Sequence, residues 1–183
     1  MNKTVQANLE HLWSEDRELQ NKAFSYILKV TDKPVDWAYE AWDAVVDNLS
    51  HKDNHNRAIA AQVLCNLAKS DPKDRIIKNF DALLAVTKDE RFVTARHCMQ
   101  SLWKIGTAGK KQRAKLVDGL AGRFKECIKE KNCTLIRYDI LQSLWNVYDA
   151  VKDETVKAKA LELIETEEDL KYRRKYASLW RVR

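Results

Sequence analysis

Residues 53–67 read DNHNRAIAAQVLCNL, and this stretch decides the fold class. Its apolar side chains include Ala60, Leu64, Cys65 and Leu67, at positions −4, 0, +1 and +3 relative to Leu64. Because an α-helix turns once every 3.6 residues or so, these positions share one face. Asp53 precedes them, where a carboxylate can accept hydrogen bonds from the free N–H groups of a first helical turn. The stretch therefore predicts an amphipathic helix that begins after Asp53.

The same apolar pattern recurs along the whole chain. It is centred on Ile27, Leu64, Leu102, Leu144 and Leu179, which are 37, 38, 42 and 35 residues apart. The tripeptide Ser-Leu-Trp also recurs at 101–103, 143–145 and 178–180. A period near 40 residues is typical of helical repeat proteins. We therefore interpret each occurrence as the second helix of one repeat unit.

A companion helix precedes each of these second helices. The predicted first helices span 4–13, 35–49, 73–87, 110–130 and 154–165. A single helical pair cannot bury its own apolar face, so the pairs must stack on one another. We expect an all-α protein, a right-handed superhelix of about five helix-turn-helix repeats in a single domain. The predicted units are 1–31, 32–70, 71–107, 108–150 and 151–183.

Composition agrees with long helices. The 183 residues include only 4 Gly and 2 Pro, whereas hairpin-rich sheets and phosphate-binding loops need many of these turn residues. No apolar run is long enough to span a membrane, and the N-terminus lacks the apolar stretch of a signal peptide. We therefore expect a soluble, cytoplasmic protein without a membrane partner.

The net charge of +6 is distributed unevenly. Residues 1–50 carry a net charge of −4, whereas residues 91–137 carry +9. A basic segment of this size is compatible with a nucleic-acid partner. The other interpretation is a lysine-rich helix surface that faces solvent.

Residues 53–67 resemble the second helix of a HEAT repeat, which has a turn Asp, an Arg a few residues later, and Ala and Leu at helical spacing. The resemblance covers nearly the whole chain, with Arg57, Arg137 and Arg173 at the arginine position. The turns of the last two units depart from the pattern, with Asn132-Cys133 and Glu167-Glu168. The resemblance implies a non-catalytic scaffold or adaptor that binds another protein.

A second resemblance concerns the segment WDAVVD at 42–47. It is similar to a Trp-Asp-x-Val-Asp motif of the HEAT-like DNA-alkylation-repair glycosylases, with one residue inserted. Arg173-Arg174 is similar to the arginine pair of that family, although Tyr172 precedes it. Asp43, Asp47 and Arg174 are the residues that this resemblance carries over. It implies the alternative function, a nucleic-acid-binding protein related to alkylpurine DNA glycosylases.

HEAT-like solenoids bind partners on the concave face that their second helices line. The polar positions opposite the apolar stripe are therefore the candidate binding residues, unless they are ordinary solvated side chains. They are Gln62, Asn66, His97, Gln100, Lys104, Asp139, Gln142, Asn146, Arg174 and Arg181. Asp139 aligns between His97 and Arg174 of the flanking units, where it either stabilises a positive charge on a substrate or forms an ion pair between repeats.

Signatures of catalysis are missing from the sequence. It has no glycine-rich phosphate loop, no GxSxG and no HExxH, so we expect no enzyme activity and no cofactor. His51 and His55 have metal-like spacing, but they span a turn, and we expect no metal site there. Trp103, Trp145 and Trp180 occupy one repeated slot, which favours packing between repeats. The four cysteines, Cys65, Cys98, Cys127 and Cys133, are interpreted as isolated packed thiols.

Overall fold

The computed structural model describes residues 1–180, and these residues form helices and no strands. Eleven α-helices are present in this part of the chain: α1 Lys3–His11, α2 Arg17–Val30, α3 Ala38–Asp47, α4 Asn54–Leu67, α5 Arg75–Val86, α6 Phe92–Ser101, α7 Trp103–Ala108, α8 Lys110–Glu126, α9 Cys133–Val151, α10 Glu154–Glu165 and α11 Leu170–Leu179. Short 3₁₀ helices follow at Asn48–Ser50, Ala68–Ser70 and Cys127–Lys129. The all-α prediction is confirmed for these residues.

Aspartates begin several of the helices, as the turn sequences predict. Asp16 accepts hydrogen bonds from the N–H groups of Glu18 and Leu19, at 2.9 and 3.1 Å. Asp53, Asp153 and Asp169 cap α4, α10 and α11 in the same way. Each carboxylate satisfies a backbone donor that has no partner within its helix.

The second helix of the third repeat differs from the prediction, because it is interrupted at Leu102 and forms α6 and α7. The Ser101 hydroxyl donates to the His97 carbonyl four residues earlier, at 2.9 Å. The Ile105 N–H then bonds three residues back, to the Leu102 carbonyl. Side-chain bonds to the preceding turn bend helices, and three-residue bonds tighten them.

Residues Met1–Ser101 form one compact unit. Its second helices α2, α4 and α6 pack side by side, and α1, α3 and α5 pack on them. The central helix α4 contacts α2, α3, α5 and α6, which is why most of its residues are buried. Leu64, Cys65 and Trp42 are fully excluded from solvent.

A second compact unit begins at Leu102. Here α9 packs against α7, α8, α10 and α11, and α8 also contacts α7 and α10. Gly106 allows α7 to approach α9 closely, since a Cβ atom at Gly106 would lie 2.7 Å from Val147 Cγ2. Leu102 and Leu144 are fully buried, as their place in the repeated apolar stripe predicts. That all five units form one continuous domain stays a prediction.

Within residues 1–180, no helix combines the length and the apolar character that crossing a bilayer requires.

Candidate functional site

The predicted row of polar binding residues does not form a uniformly exposed surface. Asn66 is fully buried, and its amide nitrogen donates to the Leu28 carbonyl at 3.2 Å and to Thr31 Oγ1 at 3.0 Å. Asp139 is also buried within the second unit. The expectation that both side chains face a partner is therefore wrong, because α4 and α9 are enclosed by neighbouring helices.

Three further members of the row are half-buried and bonded within their own helices. Gln62 donates to the Ala58 carbonyl at 3.0 Å. Gln142 donates to Asn146 Oδ1, also at 3.0 Å. These local bonds reduce the number of groups that remain for a partner.

The remaining members of the row differ in exposure. His97 and Gln100 are exposed on α6 in the first unit. Arg174 is exposed on α11, and Lys104 is half-buried on α7 in the second unit. Arg181 lies outside the described residues.

The residues carried over from the glycosylase resemblance do not surround an exposed aromatic ring. Trp42 is fully buried, and its indole N–H donates to Asn79 Oδ1 at 3.0 Å. Asp43 is exposed and forms an ion pair with Arg75, and Asp47 is exposed at the end of α3. In this structure Trp42 therefore stabilises the helix packing of the first unit.

Several arginines of the basic segment 91–137 are committed to internal ion pairs. Arg113 Nε donates to Asp153 Oδ2 at 2.7 Å. Arg123 is buried and binds both carboxylate oxygens of Glu130, at 2.5 and 2.7 Å. These arginines hold helices together, so much of the positive charge that the sequence concentrates here is neutralised locally.

His51 has a local structural role rather than that of a metal ligand. Its Nδ1 accepts a hydrogen bond from the Asp53 N–H at 3.0 Å. No group of three or more His, Cys, Asp or Glu side chains that could hold a metal occurs among the described residues.

The widest cleft of the first unit, about 670 Å³, lies at the turns between its helix pairs. Arg17, Asp53 and Asn56 are among its lining residues. Arg17 pairs with Asp53, and Asn56 accepts a hydrogen bond from Gln20 at 2.9 Å. The polar groups of this cleft therefore satisfy one another.

A second cavity, of about 350 Å³, opens at the turns of the second unit. We call it the turn-edge cavity, and its lining includes Ile128, Cys133, Arg137, Glu167, Glu168 and Tyr172. The buried ion pair between Arg137 Nη1 and Glu167 Oε2, 2.8 Å long, forms part of its wall. Burial favours the neutral form of Arg137, but the hydrogen bond to Glu167 outweighs it and raises the Arg137 pKa.

Exposed apolar side chains accompany the turn-edge cavity. Ile128 lines it and is 68% exposed. Leu170, which is 60% exposed, directly follows the lining residue Asp169, and the exposed Leu135 directly follows Thr134. Large apolar side chains grouped in this way at a surface mark sites of protein contact. The cavity thus combines an apolar rim with a charge-paired wall.

Sequence reasoning missed the turn-edge cavity, although two signals pointed to it. Ile128 is an isolated apolar residue within the charged run KECIKEK at 125–131. The turns that depart from the HEAT pattern, Asn132-Cys133 and Glu167-Glu168, supply or adjoin its lining.

Comparison with models of protein families finds no match to this chain, and comparison with curated proteins finds no similar sequence.

Solved structures with the same fold are engineered helical proteins from the Northeast Structural Genomics Consortium. One crystal structure has a TM-score of 0.58 and 21% identity, covering 98% of this chain and 78% of the other. A second has a TM-score of 0.55 and 18% identity, with 98% and 79% coverage. A third has a TM-score of 0.53 and 19% identity, and this chain spans 47% of its length. At these identities the likeness shows the fold alone.

Proposed function

We propose that this chain is a non-catalytic scaffold that binds another protein through the turn-edge cavity and its apolar rim. The proposal includes the finer architecture, a right-handed superhelix of about five HEAT-like repeats. It moves the main binding surface from the predicted concave row to the turns, because Asn66 and Asp139 of that row are buried. The exposed His97, Gln100 and Arg174 contribute a secondary surface.

Interactions that recur one repeat apart support the superhelical part of the proposal. In the first unit, Gln20 bonds to Asn56 and Trp42 bonds to Asn79, at separations of 36 and 37 residues. In the second unit, the Tyr176 hydroxyl donates to the Thr134 carbonyl, 42 residues away. Stacked repeats make such contacts with their nearest neighbours.

The exposed Ile128 at the cavity is the observation that carries the choice of a protein partner. An apolar side chain of a partner could cover Ile128 and Leu170 and remove their surface from water. The cavity lining also carries Glu167, Glu168 and Asp169 against the single cation Arg137. A phosphate group would be repelled by these carboxylates, whereas a protein segment with an apolar and a basic side chain would fit.

We also propose a cytoplasmic location. All four cysteines are free thiols in the structure, which is usual for proteins of reducing compartments.

Comparative affinity capture tests the protein-binding proposal. The wild-type chain, an Ile128→Asp, Leu170→Asp variant and a Leu161→Asp control are immobilised and exposed to lysate of the source cells. Leu161 is an exposed apolar residue on α10 that does not line the cavity, so it is a matched control. We expect a partner that the wild type and the control retain and that the double variant loses by about tenfold or more. Equal loss in both variants would contradict the proposed surface.

The alternative function, nucleic-acid binding, keeps one supporting observation. Residues 102–180 contain 17 Lys and Arg but 12 Asp and Glu. Fluorescence anisotropy with duplex DNA at several salt concentrations tests it, together with an assay for release of alkylated bases. The scaffold proposal expects no dissociation constant tighter than about 10⁻⁴ M near 50 mM salt. Tight binding whose salt dependence flattens by about 1 per lost contact in a Lys104→Ala, Arg181→Ala variant would instead support a cationic groove.

A further inference from the structure

Two cysteine sulfurs lie next to each other at the turn between α8 and α9. Cys127 is the first residue of the 3₁₀ helix Cys127–Lys129, and Cys133 is the first residue of α9. Their Sγ atoms are 2.9 Å apart, and both cysteines are free thiols. The interpretation of these residues as isolated packed thiols is therefore wrong, because the turn brings the two side chains together.

The two thiols differ in their access to solvent. Cys127 is fully buried, and its thiol lies 3.3 Å from the Phe124 carbonyl. Cys133 is half-buried and lines the turn-edge cavity, which is about 350 Å³ in volume. A small molecule that enters the cavity can therefore meet the sulfur of Cys133 first, with the sulfur of Cys127 directly behind it.

We propose that Cys127 and Cys133 form a modification site at which a small-molecule disulfide of the glutathione class oxidises the pair to an intramolecular disulfide. This inference is independent of the proposed scaffold function, because it rests on the geometry of the two thiols and on their access from the cavity.

The reaction takes place by two thiol–disulfide exchanges. The thiolate of Cys133 attacks one sulfur of the small disulfide, forms a protein–small-molecule mixed disulfide and releases one small thiolate. Cys127, after losing its proton to solvent, attacks the Cys133 sulfur, forms the Cys127–Cys133 bond and releases the second small thiolate. The two protein thiols are oxidised, and the small disulfide is reduced to two thiols.

Electrostatics assign this order to the two cysteines. Burial, together with the neighbouring Cys133, raises the pKa of Cys127 to about 12, although Arg137 and Arg123 act in the opposite direction. Cys127 is therefore protonated in neutral solution and does not react first. Once Cys133 is part of a mixed disulfide it carries no negative charge, so its contribution to the raised pKa of Cys127 is removed. The first exchange thus prepares the second.

Peptide mapping after equilibration with oxidised and reduced glutathione tests the proposal. The full-length chain is quenched in acid, blocked with an alkylating reagent and digested with trypsin. Cleavage after Lys125, Lys129, Lys131 and Arg137 places Cys127 in peptide 126–129 and Cys133 in peptide 132–137. We expect these two peptides to be joined by a disulfide and to exceed the glutathione adduct of Cys133 by about tenfold or more, since the second exchange is intramolecular.

Single variants supply the controls. In Cys127→Ser, Cys133 should accumulate as a stable glutathione adduct, because no resolving thiol is present. In Cys133→Ser, Cys127 should stay reduced at the same glutathione ratio. The joined peptides should also become less abundant relative to the adduct when the wild type is oxidised in denaturant, where the fold no longer aligns the sulfurs.

Two outcomes would overturn the proposal. One is a wild-type chain that holds the glutathione adduct on Cys133 as stably as Cys127→Ser does. The other is a wild-type chain in which both cysteines stay reduced at every glutathione ratio, while Cys133 in unfolded protein is oxidised.

Discussion

Arg57 on α4 holds both carboxylate oxygens of Asp89, which lies in the turn of the next repeat. Its Nε and Nη2 atoms are 2.5 and 2.9 Å from Asp89 Oδ2 and Oδ1. The side chains are 14% and 3% exposed, so the pair is largely shielded from water. Arg17 with Asp53 and Arg137 with Glu167 repeat the same arrangement, with an arginine at the start of one second helix and an acid in the following turn. The Asp and Arg that characterise the repeated sequence thus connect neighbouring repeats.

Replacing Arg57 tests the strength of this connection. Arg57→Met should lower the free energy of unfolding by about 3–5 kcal/mol, because Asp89 would stay buried without its cation. Arg17→Met is the matched control, and it should change stability by about 0–1 kcal/mol, because its pair with Asp53 is 45% and 30% exposed. Urea denaturation followed by circular dichroism measures both values. Equal losses would show that burial does not distinguish the two pairs.

Stability should fall in acid because of the same carboxylates. Burial acts to raise the pKa of Asp89, but hydrogen bonds from Arg57 and from the Arg91 N–H outweigh it and lower the pKa below 3.8. A lowered pKa in the folded state contributes stability above the unfolded-state pKa, and this stability is lost as the pH falls through the folded value. Unfolding free energies measured between about pH 6 and 2 should show this decrease. Asp89→Asn should have a shallower decrease than the wild type.

The repeated apolar stripe makes a prediction about the core. Leu102→Ala should destabilise the protein by about 2–5 kcal/mol, because Leu102 is fully buried and its truncation leaves a cavity. Leu161→Ala removes the same atoms from an exposed position and should cost less than about 0.5 kcal/mol. Thermal denaturation compares the two. An unchanged melting temperature for Leu102→Ala would mean that the repeats are aligned incorrectly.

Two glycines should respond oppositely to alanine. At Gly106, a Cβ atom would lie 2.7 Å from Val147 Cγ2 and 2.9 Å from Leu116 Cδ2, so Gly106→Ala should cost about 1–3 kcal/mol. At Gly122 on α8, no neighbouring atom lies within 4 Å of the position that a methyl group would take, so Gly122→Ala should gain about 0.5–1 kcal/mol from helix propensity. Chemical denaturation gives both signs. A gain at Gly106 would contradict the close approach of α7 and α9.

Thiol labelling separates the structural cysteines from the exposed one. Cys65 and Cys98 are fully buried, and burial raises the pKa of Cys98 well above its usual value. Both should react with a maleimide only when the chain unfolds, whereas Cys133 should react in the native protein. Mass spectrometry of the labelled peptides measures the three rates. Fast labelling of Cys65 and Cys98 would mean that they do not belong to the core stripe.

Helix periodicity predicts the positions of most helices, because the stripe around Leu64, Leu102 and Leu144 is set by spacing along the chain alone. The burial of Asn66 and Asp139 could not be predicted in the same way. A polar residue opposite the stripe faces solvent on an isolated helical pair, but a neighbouring repeat can cover it, and Asn66 finds its partners 35 and 38 residues away.

The turn between α8 and α9 escaped prediction for a related reason. The sequence places Cys127 and Cys133 six positions apart, but the distance between their sulfurs depends on the 3₁₀ helix that ends the first helix early. The predicted first helix continued to residue 130, whereas α8 ends at Glu126. A continuous helix would have pointed Cys127 and Cys133 in different directions.

The arginine–acid pairs between repeats also affect how the chain folds while it is being synthesised. Arg17, Arg57 and Arg137 leave the ribosome 36, 32 and 30 residues before the acids that they bind. At about 5–20 residues per second, each arginine waits roughly 2–7 s for its partner. A newly made repeat therefore stays open at its leading edge until the next turn emerges, and each acidic turn closes the repeat made before it.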